Sequence, residues 1–184
     1  MPVRHYFSLI RSQPGILHAI FAMMAAVAVS NYLVQYQIND WLTWGAFPYP
    51  VCFLITELTN RNFGTQAAKT VVYFGFVLGV IVSSFLNIPK IALASGTAFL
   101  VAQLFDIAIF NRYKYAAWWL GPMAASSAAS VIDTIVFTTI AFWGEGMLIL
   151  TFAIGDFSIK MLIDVLMLVP FRLYTVRKVI NSRI

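Results

Sequence analysis

FLVAQLFDIAIFNRYK, Phe99–Lys114, decides how the chain is read. It is oily as far as Phe110, yet Gln103 and Asp106 sit inside the run and a basic turn, Asn111–Lys114, closes it. Ser95, Phe99, Gln103 and Asp106 are spaced by four, four and three residues, so on a helix they share one face. A single polar face on an otherwise apolar helix looks inward, away from lipid.

Composition supports the same reading outside this stretch. The 184 residues are 61% hydrophobic and only 10% charged, whereas a soluble domain carries about 25% charged residues. So much apolar surface exceeds what a core of this size hides from water, and lipid is the expected solvent. Six apolar segments follow: about Ile16–Tyr36, Trp41–Leu58, Ala67–Ile88, Ile91–Phe110, Trp118–Trp143 and Met147–Tyr174. Each approaches the ~20 residues that cross ~30 Å of hydrocarbon. Ser12 and Pro14 mark a helix start before the first. Pro48 and Pro50 interrupt the second, which is expected to be bent or broken. The opening MPVRHYFSLIRSQPG does not read as a cleavable signal. The expected fold is an all-α integral membrane protein, one transmembrane domain over residues 1–184.

Charge tests this layout independently. If six helices cross, one side collects Arg4, Arg11, Arg61, Lys69, Arg112, Lys114, Arg172, Arg177, Lys178 and Arg183, ten of the 12 basic residues. Lys90 falls opposite, and Lys160 lies within the sixth segment. That asymmetry puts both termini in the cytoplasm. Trp41, Trp44, Trp118, Trp119 and Trp143 fall near segment ends, as an interfacial belt requires. Basic residues placed between apolar runs argue against nucleic acid as a partner.

Polar residues within the runs carry the functional reading. Ser126, Ser130, Asp133 and Phe137 repeat the inward pattern on the fifth segment. Two such faces can enclose a small polar solute. For Asp106 the competing reading is a side chain that reaches toward Asn111 and Arg112 at the cytoplasmic end. Asp156, Lys160 and Asp164 step by four along the sixth segment, either as a packing ion pair or as part of a site. Glu57 follows Thr56 at the end of the broken second segment, where irregular helices line cavities. The small-residue run Gly121–Ser130 reads as close helix packing. Ala22, Ala26 and Ser30 form a similar stripe, suited to packing or to docking a second copy of the chain. His18 is expected to be satisfied locally. No GxxxxGK[ST], HExxH or Cys/His cluster is present, and Cys52 stands alone. No ATP site, metal centre, cofactor or enzymatic activity is expected.

FPYPVCFLITELTNRNFG (Phe47–Gly64), ASGTAFLVAQLFDIAIFNR (Ala94–Arg112), WWLGPMAASSAASVIDTIVFTTIAFW (Trp118–Trp143) and GDFSIKMLIDVLMLVP (Gly155–Pro170) resemble the queuosine-precursor transporter family. The resemblance implies six helices akin to the substrate-binding subunits of energy-coupling-factor importers. It also implies a place in the bacterial inner membrane and uptake of 7-deazaguanine bases such as preQ0 and preQ1. For such a substrate the polar residues themselves supply the candidate binding set: Glu57, Asn60, Gln103, Asp106, Ser130, Asp133, Asp156 and Lys160. Asp133 or Glu57 would read the donor edge of the base, Gln103 another edge, and Asp106 the aminomethyl cation of preQ1. Glu57 departs from the pattern, since many members carry Asp there. Two alternatives stay open: a subunit for another vitamin-like heterocycle driven by a separate ATPase module, and a structural membrane protein.

Overall fold

The computed structural model describes residues 13–39, 41–86, 89–143 and 148–181. Arg4, Arg11, Ser12, Arg183 and the Lys178 side chain, used in the charge and helix-start readings, lie outside the described residues. Six helices are present among the described residues: α1 Pro14–Leu33, α2 Pro50–Phe63, α3 Thr65–Leu86, α4 Pro89–Tyr113, α5 Leu120–Ala141 and α6 Leu148–Asn181. Four of them, α1, α3, α4 and α5, are long and apolar enough to cross a membrane.

The other two differ from the sequence expectation for physical reasons. In the second apolar segment, Leu42–Thr43 (β2) pairs antiparallel with Gln37–Asn39 (β1), and Trp44–Ala46 forms a single 3₁₀ turn. Helix α2 begins only at Pro50, whose fixed φ suits a first turn and whose missing N–H costs nothing there. Its 14 residues span roughly 21 Å at ~1.5 Å per residue, less than a full crossing. It ends at Gly64, whose φ of 86° lies in the left-handed region that glycine tolerates. Helix α6 has the length, at 34 residues, but carries Asp156, Lys160 and Asp164 in its interior. It also runs past Tyr174 to Asn181 and passes through Pro170 without ending.

Small residues set the tightest packing. On α3, Gly75 and Gly79 are four apart, and a β-carbon on either would meet Met23 at 2.6 Å or Val27 at 2.9 Å. The buried edge of α1, Ile16, Ile20, Met23 and Val27, therefore lies directly against α3. The Ala22–Ala26–Ser30 stripe is not one surface. Ala22 is exposed, Ala26 is half-buried, and Ser30 is buried and donates to the Gly45 carbonyl at 3.0 Å. The Gly121–Ser130 run does pack closely, burying Gly121, Pro122, Ala125, Ser126, Ala129 and Ser130 within the bundle.

The two ends of the bundle are distinct. Lys90 donates to the Trp143 carbonyl at 3.1 Å, and the loop carrying Trp41 lies against Gly155. At the opposite end Arg61 stacks on Phe171, Arg172 stacks on Trp118, and Thr65 bonds with Asn111. All five tryptophans are exposed in the described structure. His18 is exposed and bonds the Pro14 carbonyl, a local partner as expected.

Candidate functional site

The polar residues of the core fall into two groups, one above the other along the bundle. The upper group is built on the tyrosine that precedes α2 and on facing turns of α5 and α6. Lys160 donates to Asp133 at 2.7 Å across the α5–α6 interface, and also to Asp156 one turn back on α6. Tyr49 donates to the other Asp133 oxygen at 2.5 Å. Thr134 donates to Asp156 at 3.0 Å. The ammonium of Lys160 also sits 4.9 Å from the centre of the Tyr49 ring, within cation–π range. All three charged residues are buried, and a buried charge persists only when paired and hydrogen-bonded.

This group forms one wall of a small cavity of about 40 Å³. Tyr49, Phe137 and Phe152 supply aromatic surface to it, and Asp133, Asp156 and Lys160 supply charge. Phe137 and Phe152 lie 6.2 Å apart in a tilted pair. Thr43, Gly45 and Ala46 of the β2–3₁₀ segment also line it. Asn31 and Ser95 complete the rim, with Ser95 donating to Asn31 at 3.1 Å and Asn31 donating to the Gly79 carbonyl at 3.2 Å. The break in the second apolar segment thus has a structural result. Irregular backbone lines a cavity, where its polar groups find partners that lipid does not offer.

The lower group lies on α2, α4 and α6, toward the end that carries Arg61 and Arg172. Glu57, Asp106 and Asp164 are all buried, on helices that pack against one another. Thr56 donates to the Gln103 carbonyl oxygen at 2.5 Å, and Ser130 donates to Asp164 at 2.9 Å. Many buried atoms here nevertheless have no hydrogen-bond partner: one oxygen of Glu57, both of Asp106, one of Asp164, and the amide nitrogens of Asn60 and Gln103. Native interiors leave few such atoms, so a concentration of them in one layer is informative.

Against the sequence expectations, Asp133, Asp156 and Lys160 come together at the cavity. Glu57, Asn60, Gln103, Asp106 and Ser130 come together below it and are not among its lining residues. Asp106 does not reach for the basic turn. It is fully buried, and Asn111 bonds instead with Thr65. Lys160 is the centre of a three-way ion cluster rather than a partner only within its own helix. Tyr49 and Phe152 were not singled out from sequence. Tyr49 had a signal, since it is the aromatic between the two prolines that break the segment, but Phe152 sits in an apolar run without one.

Comparison with known proteins adds a separate line of observation. A family model described as "Putative vitamin uptake transporter" matches residues 43–88 and 81–175. The chain is 29% identical to the "Queuosine precursor transporter" of Escherichia coli, with 80% of each chain covered. It is 29% identical to the "Probable queuosine precursor transporter" of Haemophilus influenzae, covering 85% of this chain and 84% of the other. A protein of the same description from Bacillus subtilis is 24% identical over 55% of this chain and 57% of its own. No solved structure matches the chain.

Proposed function

The chain belongs to the vitamin uptake transporter family, and on that premise we propose that it imports queuosine precursors across the bacterial inner membrane, as a multi-pass protein with both termini in the cytoplasm. The cargo is a 7-deazaguanine base of the preQ0 or preQ1 kind, received first by the cavity under the β2–3₁₀ segment. The observation that supports this most is the composition of that cavity: three aromatic rings beside a fixed phenol–carboxylate–ammonium set.

Each part suits a flat base. Tyr49, Phe137 and Phe152 offer ring faces or edges, worth roughly 0.5–1.5 kcal/mol per aromatic pair beyond the area buried. Asp133 and Asp156 keep lone pairs to accept N–H groups, and Lys160 can donate to a carbonyl oxygen. Charge-assisted hydrogen bonds of this kind contribute about 1.5–3 kcal/mol each. Tyr49 and Lys160 hold Asp133 in one orientation before the base arrives, which lowers the ordering cost of binding. Below the cavity, Gln103, Asn60, Glu57, Asp106 and Ser130 line the inward route with further donors and acceptors.

Uptake of radiolabelled preQ1 and preQ0 into cells that neither make nor otherwise import them tests the proposal. Accumulation that requires this chain supports it, and its absence for both bases overturns it. Uptake by liposomes holding only the purified chain separates a self-sufficient transporter from a subunit of an ATP-driven assembly.

A further inference from the structure

We infer that Glu57, Asp106 and Asp164, with the amides of Asn60 and Gln103, form a second site that binds protons, and that exchange of these protons accompanies transport. The inference rests on the transporter reading above and adds the species that moves with the cargo.

Two buried carboxylates, Asp133 and Asp156, share the ammonium of Lys160 in direct contacts. Among the described residues, Glu57, Asp106 and Asp164 then have no basic side chain bonded to them, and the basic side chains of the surrounding helices lie elsewhere. On α2, Arg61 is exposed and stacks on Phe171. On α3, Lys69 is only half-buried, and on α4, Arg112 is exposed. On α5 the nearest charge is Asp133, held by Lys160. On α6, Arg172 is exposed and stacks on Trp118, while Lys160 is one turn from Asp164 and engaged elsewhere. Fully ionised, the six buried groups would bring five negative charges against one positive. A low-dielectric interior does not hold that imbalance. No set of three His, Cys, Asp or Glu among the described residues is arranged to hold a metal ion. Protons bound at this layer would remove the imbalance.

The amides supply an independent observation. Gln103 and Asn60 are 0% and 2% exposed, and each leaves its –NH2 group without an acceptor. Each lies one helical turn from a carboxylate of the cluster, Gln103 from Asp106 and Asn60 from Glu57. Unspent donors beside acids let the layer hold either state. An ionised carboxylate takes their hydrogen bonds, and a protonated one donates to a neighbouring oxygen. The cluster also has a polar connection to the end of the bundle. Thr65 lies 3.4 Å from the Asn60 side-chain oxygen and bonds Asn111 at 3.1 Å.

Two measurements on the full-length chain test this. In liposomes, addition of preQ1 outside should acidify a lumen loaded with a pH-sensitive dye, and an inward proton gradient should raise the initial uptake rate several-fold. Asp106→Asn should abolish both the acidification and the gradient effect. Uptake that ignores the gradient and moves no protons overturns the inference, as does acidification that persists in Asp106→Asn. The second measurement needs no substrate: infrared difference spectra of the detergent-purified chain during a pH titration. A buried protonated-carboxyl band that is lost or shifted in Asp106→Asn supports the site, and absence of the band in the unsubstituted chain overturns it. Glu57→Gln and Asp164→Asn replace Asp106→Asn if that variant does not fold. If the spectra show the band and cells that carry the chain accumulate neither preQ0 nor preQ1, the cargo assignment fails and the proton site stands.

Discussion

Lys160 on α6 donates to Asp133 on α5 at 2.7 Å, and each side chain is only 5% exposed. The bond ties two helices together at the depth where the cavity opens. Removing one partner strands the other. Lys160→Met is expected to cost about 3–5 kcal/mol, since it leaves Asp133 and Asp156 uncompensated. Lys160→Met with Asp133→Asn should recover a large part of that loss. Thermal melts of the four proteins in detergent give the coupling, and additive losses would show that the pair is not linked. The double variant should remain folded and fail to accumulate preQ1.

Tyr49→Phe removes one hydroxyl and keeps the ring against Phe53 and Phe99, at 5.6 and 6.4 Å. The structural loss should be about 1.5–3 kcal/mol, for a hydrogen bond to a charged group. Binding should suffer as well, because Asp133 then turns within the cavity. We expect preQ1 affinity, read by ligand-induced thermal stabilisation, to fall about tenfold, the effect of ~1.4 kcal/mol. Unchanged affinity would remove the Tyr49–Asp133 bond from the recognition argument.

Gly75→Leu should separate α1 from α3, because even a β-carbon there meets the Met23 side chain at 2.6 Å. Overpacking of this kind costs roughly 1–3 kcal/mol or more. The melting temperature should drop, and Gly75→Leu with Met23→Ala should restore part of it. A variant as stable as the parent would mean that the two helices do not meet there.

Cys52 is fully buried, so the chain provides its own unreactive background for cysteine labelling. The proposed topology, with both termini inside, would place Trp143, 74% exposed, outside the cell and Tyr115, 89% exposed, within it. Trp143→Cys should react with an impermeant maleimide on intact cells, and Tyr115→Cys only after permeabilisation. The reverse pattern would invert the orientation.

Much of this architecture is readable from residue order alone. Hydropathy finds the long apolar helices, and Pro48 and Pro50 foretell the break before α2. The pattern does not say that residues 42–46 leave the helix altogether, because an apolar run of that length fits a strand or a turn as well as a helix. The Gly75–Gly79 pair was there to be seen in the third segment. Site residues are legible as a set, since charge inside an apolar run is costly and so stands out. Their division into two layers is not. Periodicity places Gln103, Asp106 and Asp133 on inward faces, but the relative height of two helices depends on packing that no single segment encodes. Asp133 and Asp106 therefore read as one site from sequence and lie in separate layers in the fold.

Trp41 touches α6 at Gly155, where a β-carbon would meet its carbonyl at 2.5 Å, and Asp156 is the next residue. The outer loop and the ion cluster thus lean on adjacent positions of one helix. Blocking this protein need not imitate its cargo. A small wedge driven between Trp41 and Gly155 would disturb both at once, and Gly155→Val is its genetic counterpart: a chain expected to reach the membrane and import nothing.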